Sequence, residues 1–269
     1  MLELDPLFHH GIAVLIVAFR LTGLLIFSPM LAGAAIPRQA KVILVVTLAF
    51  AVYPALPESW QLPMRFSLFT VAQLFVTETL IGAAIGFIAS LPILAVQLGG
   101  QIMGQQMGLG LAQVFNPELE TNTGVVDQLL FYTALAVFIS FGGVEATFSA
   151  LLNTYESVPL GGMTLAAIPL ELIVGTLAAG FELAIRVAAP ILGIMIIETV
   201  ATGVLMKTIP QINIMSVGFS LKTLAGLFGL AAAVATIFMV FADEAGGMLA
   251  SMIDWSLRVE PLADGGGRL

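Results

Sequence analysis

Eight charged residues interrupt long apolar runs of this chain: Arg20, Glu78, Glu145, Glu182, Arg186, Glu198, Lys207 and Lys222. A charge at mid-membrane costs about 3 kcal/mol or more, so each needs a partner or a wet surface. Glu182 and Arg186 are four apart, hence on one helix face, and can neutralise each other. Three readings stay open for that pair: a structural bridge, a contact with a neighbouring subunit, or a proton relay. Glu78, Gly82 and Gly86 form one stripe at four-residue spacing, and small residues so placed let another helix approach closely. Glu78 then reads as a buried carboxylate bonded to a neighbouring backbone group or cation, with proton transport as the alternative. The adjacent Asp243 and Glu244 point in different directions on a helix, which makes a poor acid–base couple. They are expected to end a helix at a wet surface. G-x-S-x-G, Walker A and H-E-x-x-H motifs are absent, so no enzyme activity is expected. His9 and His10 are too few and too local for a histidine metal site, and cysteine is absent. No cofactor or metal is expected.

A second group of residues is suited to movement rather than charge. Gly100, Gly104 and Gly108 repeat every four residues, with Met103 and Met107 on an adjacent stripe. Gln101, Gln105 and Gln106 are interleaved, and Gly110 and Phe115 follow before "NPELETNTG". Glycine permits close backbone approach and bending. Methionine fills irregular gaps without rigidity. A loop rich in both suits the closing of a pore; the alternative is a helix-packing seam followed by a surface loop. Further on, the apolar run 186–223 is broken by Pro190 and by "KTIPQIN". Pro210, Gln211 and Asn213 make a polar corner between two membrane-grade helices.

The elements that must position these residues belong in lipid. The chain of 269 residues is 59% hydrophobic and 10% charged, with a mean hydropathy of +1.06. A soluble domain carries about a quarter charged residues, so this one has too few to solvate a globule of its size. Nine Lys and Arg against a net charge of −8 exclude a nucleic-acid partner. A spanning helix needs about 20 mostly apolar residues. Segments 11–30, 40–56, 69–98, 126–152, 167–207 and 215–242 are the candidates. The fifth holds Pro190 and is either one kinked helix or two. The acidic start "MLELDPLFHHG" and the apolar run continuing past Arg20 predict a retained helix rather than a cleaved signal. Arg38 and Lys41 favour a cytoplasmic first loop, while Arg65 in the next loop opposes it, so orientation stays open.

The chain resembles the FliR family of flagellar export proteins, whose injectisome relatives are the SctT proteins, over roughly residues 10–255. The resemblance is carried by "RLTGLLIFSPMLAGAAIPRQAKV", "ETLIGAAIGF", "QLGGQIMGQQMGLGLAQVFNP", "YESVPLGG" and "RVAAPILGIMIIETVATGVLMKTIPQINIMSVGFSLK", in that order. One departure is "FGGVEATF", which places Val144 and Glu145 where a Gly-His type pair is expected.

The resemblance implies an all-α, multi-helix integral membrane-type protein of bent helical hairpins. Residues 1–255 would be one export-gate domain, with a FliP-like part at 10–165 and a FliQ-like hairpin within 166–255. Residues 256–269 would be a flexible tail. It implies a subunit of the flagellar type III secretion export gate, a complex with FliP and FliQ subunits. FlhB would lie around it and the FlhA ring beneath, with unfolded export substrates as cargo. The place would be the bacterial inner membrane at the flagellar basal body, partly raised toward the periplasm. Met103, Gly104, Met107, Gly108, Gly110 and Phe115 would lie in a plug loop; Pro210, Gln211 and Asn213 would form the hairpin corner. Glu78, Glu182, Arg186, Glu198 and Lys222 would be buried or inter-subunit charges. The alternatives are an injectisome gate subunit, or a stand-alone secondary transporter or channel. The intramembrane carboxylates and the broken fifth segment support the latter, but no internal repeat accompanies them. A respiratory-complex subunit lacks the helical histidines that haem needs.

Overall fold

The computed structural model describes residues 5–28, 36–56, 68–109, 124–158, 169–208 and 214–258. Seven α-helices run through them: α1 (Asp5–Phe27), α2 (Arg38–Val52), α3 (Leu68–Gln106), α4 (Val125–Ser140), α5 (Gly143–Ser157), α6 (Leu170–Thr208) and α7 (Ile214–Arg258). A single 3-10 turn, Tyr53–Ala55, follows α2, and the described residues contain no strand. Four helices (α1, α3, α6 and α7) are long and apolar enough to cross a membrane, and α4 with α5 qualify only if counted as one span. At 1.5 Å per residue the 39-residue α6 is about 58 Å long and the 45-residue α7 about 68 Å. Both exceed the roughly 30 Å hydrocarbon core of a bilayer.

Several boundaries differ from the expected segments, each for a local reason. The fifth segment is one continuous helix, and Pro190 sits inside it. Pro92 likewise sits inside α3, which continues to Gln106 rather than stopping near residue 98. In a membrane-type protein, neighbouring helices and hydroxyl side chains satisfy the groups a proline frees. The segment 126–152 is not one helix. Gly142 stands between α4 and α5 at φ +84°, a left-handed conformation that glycine adopts without strain. Asp243 and Glu244 do not end a helix, because α7 runs on to Arg258. Ser256 also belongs to that helix and is fully buried.

Two compact units divide the chain, each assembled from separate stretches. The first comprises residues 1–90, 142–176 and 247–269. In it α1 lies hard against the first part of α3. A β-carbon at Gly82 would overlap the Arg20 carbonyl, and one at Gly86 the Leu24 carbonyl. Gly23 meets Thr79 from the other side. Ile16, Leu21 and Leu24 of α1 and Ile85 and Ile88 of α3 are buried in this unit. Phe19 stacks on Phe75 with centroids 4.3 Å apart. The end of α7 joins α5 through Ser157 Oγ, which donates to the Ser256 carbonyl at 3.0 Å.

The second unit comprises residues 91–141 and 177–246. The later part of α3 packs here on α4, α6 and α7. Gly99 faces Ala184 and Val187, Gly100 faces Asp127 and Leu130, and Gly229 receives Ile191 and Ile194. Met103, Met107, Leu130, Leu183, Ile191 and Phe241 fill the interior. The apolar window of α3 is 72% buried within the protein, against 39% for α6 and 28% for α7. The last two helices therefore present apolar faces outward. Phe228, Ile197 and Met239 are each more than 70% exposed.

Candidate functional site

The first site is a buried arginine in the first unit. Arg20 of α1 is fully buried, and an arginine carries five donors and a charge that it keeps. Its Nε donates to Glu78 Oε2 of α3 at 2.6 Å. Its Nη1 donates to the Thr154 carbonyl at 2.9 Å and to Thr154 Oγ1 at 3.2 Å. Its Nη2 reaches the Val158 carbonyl at 3.5 Å. Those two carbonyls lie at the C-terminal end of α5, where a cation complements the helix dipole; the Thr154 oxygen also accepts the Val158 N–H at 3.0 Å. The guanidinium also sits 4.3 Å from the centroid of the Tyr155 ring, whose hydroxyl donates to the Val17 carbonyl. One side chain thus ties α1, α3 and α5 together. Glu78 thus lies on the glycine-lined face of α3 with Arg20, 58 residues away in sequence, as its cation.

A different arrangement closes α3 in the second unit. Gly108 stands at φ +81°, just past the helix end. The Gly108 N–H donates to the Gln105 carbonyl and the Leu109 N–H to the Gly104 carbonyl, both at 3.1 Å. This paired pattern with a left-handed glycine is a Schellman cap. Met103 and Gly104 therefore belong to the helix, as the first residues of the stretch from Met103 to Phe115. The non-helical stretch starts at Met107. Met103 and Met107 are fully buried. Thr223 Oγ1 of α7 donates to the Met107 carbonyl at 3.1 Å, and Met107 lies across Gly226. Gly110 and Phe115, like the corner Pro210, Gln211 and Asn213, lie outside the described residues.

The remaining charges sit on α6 and α7. Arg186 Nη2 donates to Glu182 Oε1 at 2.6 Å, as the four-residue spacing predicts, and Nη1 donates to Glu244 Oε1 at 2.5 Å. The side chains of Arg186 and Glu182 are 52% and 62% exposed. Glu198 is buried and accepts from Thr202 Oγ1 at 2.7 Å. Lys222 is half-buried, while Lys207 and Glu145 are exposed. His10 hydrogen-bonds the Tyr53 hydroxyl. Among the described residues no cluster of His, Asp and Glu is arranged to hold a metal.

Reasoning from sequence missed the roles of Arg20, Thr154 and Tyr155 around Glu78, of Glu244 as a partner of Arg186, and of Thr223 and Gly226 as the seat of Met107. It also missed Asp127 in the first turn of α4, whose buried Oδ1 has no hydrogen-bond partner among the described residues. The available signals were faint: "YES" beside a turn, and one more glycine in a glycine-rich helix.

These features define an all-α membrane-type protein, built of long apolar helices that bury an Arg20–Glu78 ion pair and present apolar faces outward. A family model described as bacterial export proteins, family 1, matches residues 12–248. Flagellar biosynthetic protein FliR of Escherichia coli (strain K12) is 30% identical over 213 residues, covering 79% of this chain and 80% of the relative. FliR of Caulobacter vibrioides is 25% identical over 237 residues, covering 88% and 94%. Yop proteins translocation protein T of Yersinia pestis is 27% identical over 200 residues, covering 74% and 75%. The chain belongs to the bacterial export proteins, family 1, the FliR family.

Proposed function

We infer that this protein is a membrane subunit of a type III secretion export apparatus, of the flagellar kind, in the bacterial inner membrane. Family membership carries the reading, supported by the names of the flagellar and Yop-translocation relatives. The outward apolar faces of α6 and α7 agree with it. A paired cluster such as Glu182–Arg186–Glu244 on helices of this kind favours neighbouring protein over lipid, since lipid offers ions nothing. In the finer reading the chain forms part of the pore for unfolded export substrates. It works with FliP and FliQ subunits, FlhB and the FlhA ring, in a complex partly raised toward the periplasm. Its first part is FliP-like and its α6–α7 hairpin FliQ-like. The stretch from Met103 to Phe115 contributes the plug, and the protein acts as a structural component without a cofactor.

Purification of the tagged chain from its own membranes tests this. The expected result is a stable hetero-oligomer with small apolar membrane proteins encoded beside it. A homo-oligomer or monomer with full solubility and no such partners would favour the stand-alone transporter instead.

A further inference from the structure

In the first unit, α1 and α2 enclose a cavity of about 370 Å³ between them. Small-molecule sites run to roughly 300–1,000 Å³ and are mostly apolar, with a few placed polar groups. Leu25 and Ile26 wall this one from α1, and Val42, Val45 and Val46 from α2. Thr22 also lines it, but its Oγ1 is already spent on the Ala18 carbonyl, to which it donates at 2.7 Å. One charged side chain reaches the cavity among the described residues: Lys41, which is half-buried. No carboxylate lines it among those residues, and the first turn of α2 holds no acidic residue. Arg38 precedes Lys41 by three positions, hence on the same side of α2, and is exposed.

Charge and apolar wall are ordered along α2. The two cations stand at its start, and the valines follow over the next turn and a half. With 15 residues α2 is about 22 Å long, short of the roughly 30 Å hydrocarbon core of a bilayer. Val42, Ile43 and Phe50 are exposed, so the surface beside the cavity is apolar too. An anionic phospholipid has the same order: a phosphate, then hydrocarbon. An apolar helix of another protein would cover the walls but desolvate the Lys41 charge without offering it an anion, which is costly. We propose that this cavity is a binding site for an anionic phospholipid, with the phosphate at Lys41 and Arg38 and one acyl chain along Val42, Val45 and Val46 against Leu25. Lys41 supplies the preference for an anionic headgroup, as basic residues beside clefts between membrane helices do. The valine wall supplies the requirement for a chain.

The full chain, purified with its partner subunits and stripped of native lipid in detergent, is titrated with dioctanoyl phosphatidylglycerol, dioctanoyl phosphatidylcholine and glycerol 3-phosphate. Bound adducts are read by native mass spectrometry. At this site the anionic lipid is expected to bind about fivefold more tightly than the zwitterionic one, the contribution of one basic residue near a membrane surface. Lys41→Gln should erase that preference and Lys41→Arg should keep it. Val46→Phe, which narrows the cavity without touching its charge, should weaken both lipids severalfold and leave their ratio unchanged. It decides the matter even where Lys41→Gln fails to accumulate. An undiminished preference in Lys41→Gln overturns the site, and so does unaltered lipid binding in Val46→Phe. Glycerol 3-phosphate bound as tightly as the anionic lipid would mark a bare anion site and overturn the role of the apolar wall. A complex that holds no phosphatidylglycerol sensitive to either position, because a partner subunit covers the cavity, overturns the proposal as well.

Discussion

Arg20 and Glu78 lie at the join of α1 and α3, with side chains 0% and 1% exposed, and neither has water to fall back on. Breaking a buried pair from one side strands a charge and costs about 3–5 kcal/mol. Glu78→Ala should therefore lower the melting temperature of the purified protein by roughly 10 °C, following the usual conversion for a chain of this size. Replacing both partners with apolar residues, as Arg20→Met with Glu78→Leu, should recover much of that loss, because no unpaired charge remains. A double variant no more stable than Glu78→Ala would assign the effect to the bonds Arg20 makes to α5 instead. The carboxylate and its glycine stripe were legible in the sequence, since residues four apart share a helix face in any helix. The identity of its cation was not, because 58 residues of chain say nothing about which side chains meet.

At the scale of elements, α1 and α3 approach so closely that backbone, not side chain, limits them. Gly82→Ala would drive a methyl group into the Arg20 carbonyl, and backbone cannot turn aside as a side chain can. We expect this change to prevent accumulation of folded protein, seen as loss of the monodisperse peak after solubilisation. Gly193→Ala is the control: nothing lies within 4 Å of a β-carbon there, and alanine favours helix by about 1 kcal/mol over glycine. Its folded yield should match or exceed that of the unaltered chain. The helices as such were readable from apolar runs, but their ends were less so. The glycines Gly99 and Gly100 resemble a stop, yet α3 runs through them, with Gly99 packed on α6 and Gly100 on α4. Asp243 and Glu244 resemble an end, yet α7 continues because Arg186 neutralises Glu244. Conversely, 126–152 is mostly apolar and still breaks at Gly142, whose left-handed backbone overrides the hydropathy.

For the whole molecule, the informative feature is what its units leave uncovered. The Glu182–Arg186–Glu244 cluster is partly exposed, and exposed ion pairs contribute about 0–1 kcal/mol to folding. Arg186→Leu should accordingly leave the melting temperature of the isolated chain within a few degrees, while the yield of co-purified partner subunits falls severalfold. Equal recovery of partners would show that the cluster serves this chain alone. Composition together with the length of the apolar runs determined that the chain belongs in a membrane, because hydropathy over a run of about 20 residues is a local property. Residue order further marked Glu182 with Arg186, the glycine stripes and the methionine-rich stretch. Only the tertiary structure decided which cation neutralises Glu78, where α3 stops and the loop begins, and that Met107 rests in a hole on α7 116 residues from its Thr223 bond partner. Those outcomes depend on which distant helix faces come together, and that is set by the packing of glycine against backbone and of buried charge against charge, summed over the whole fold.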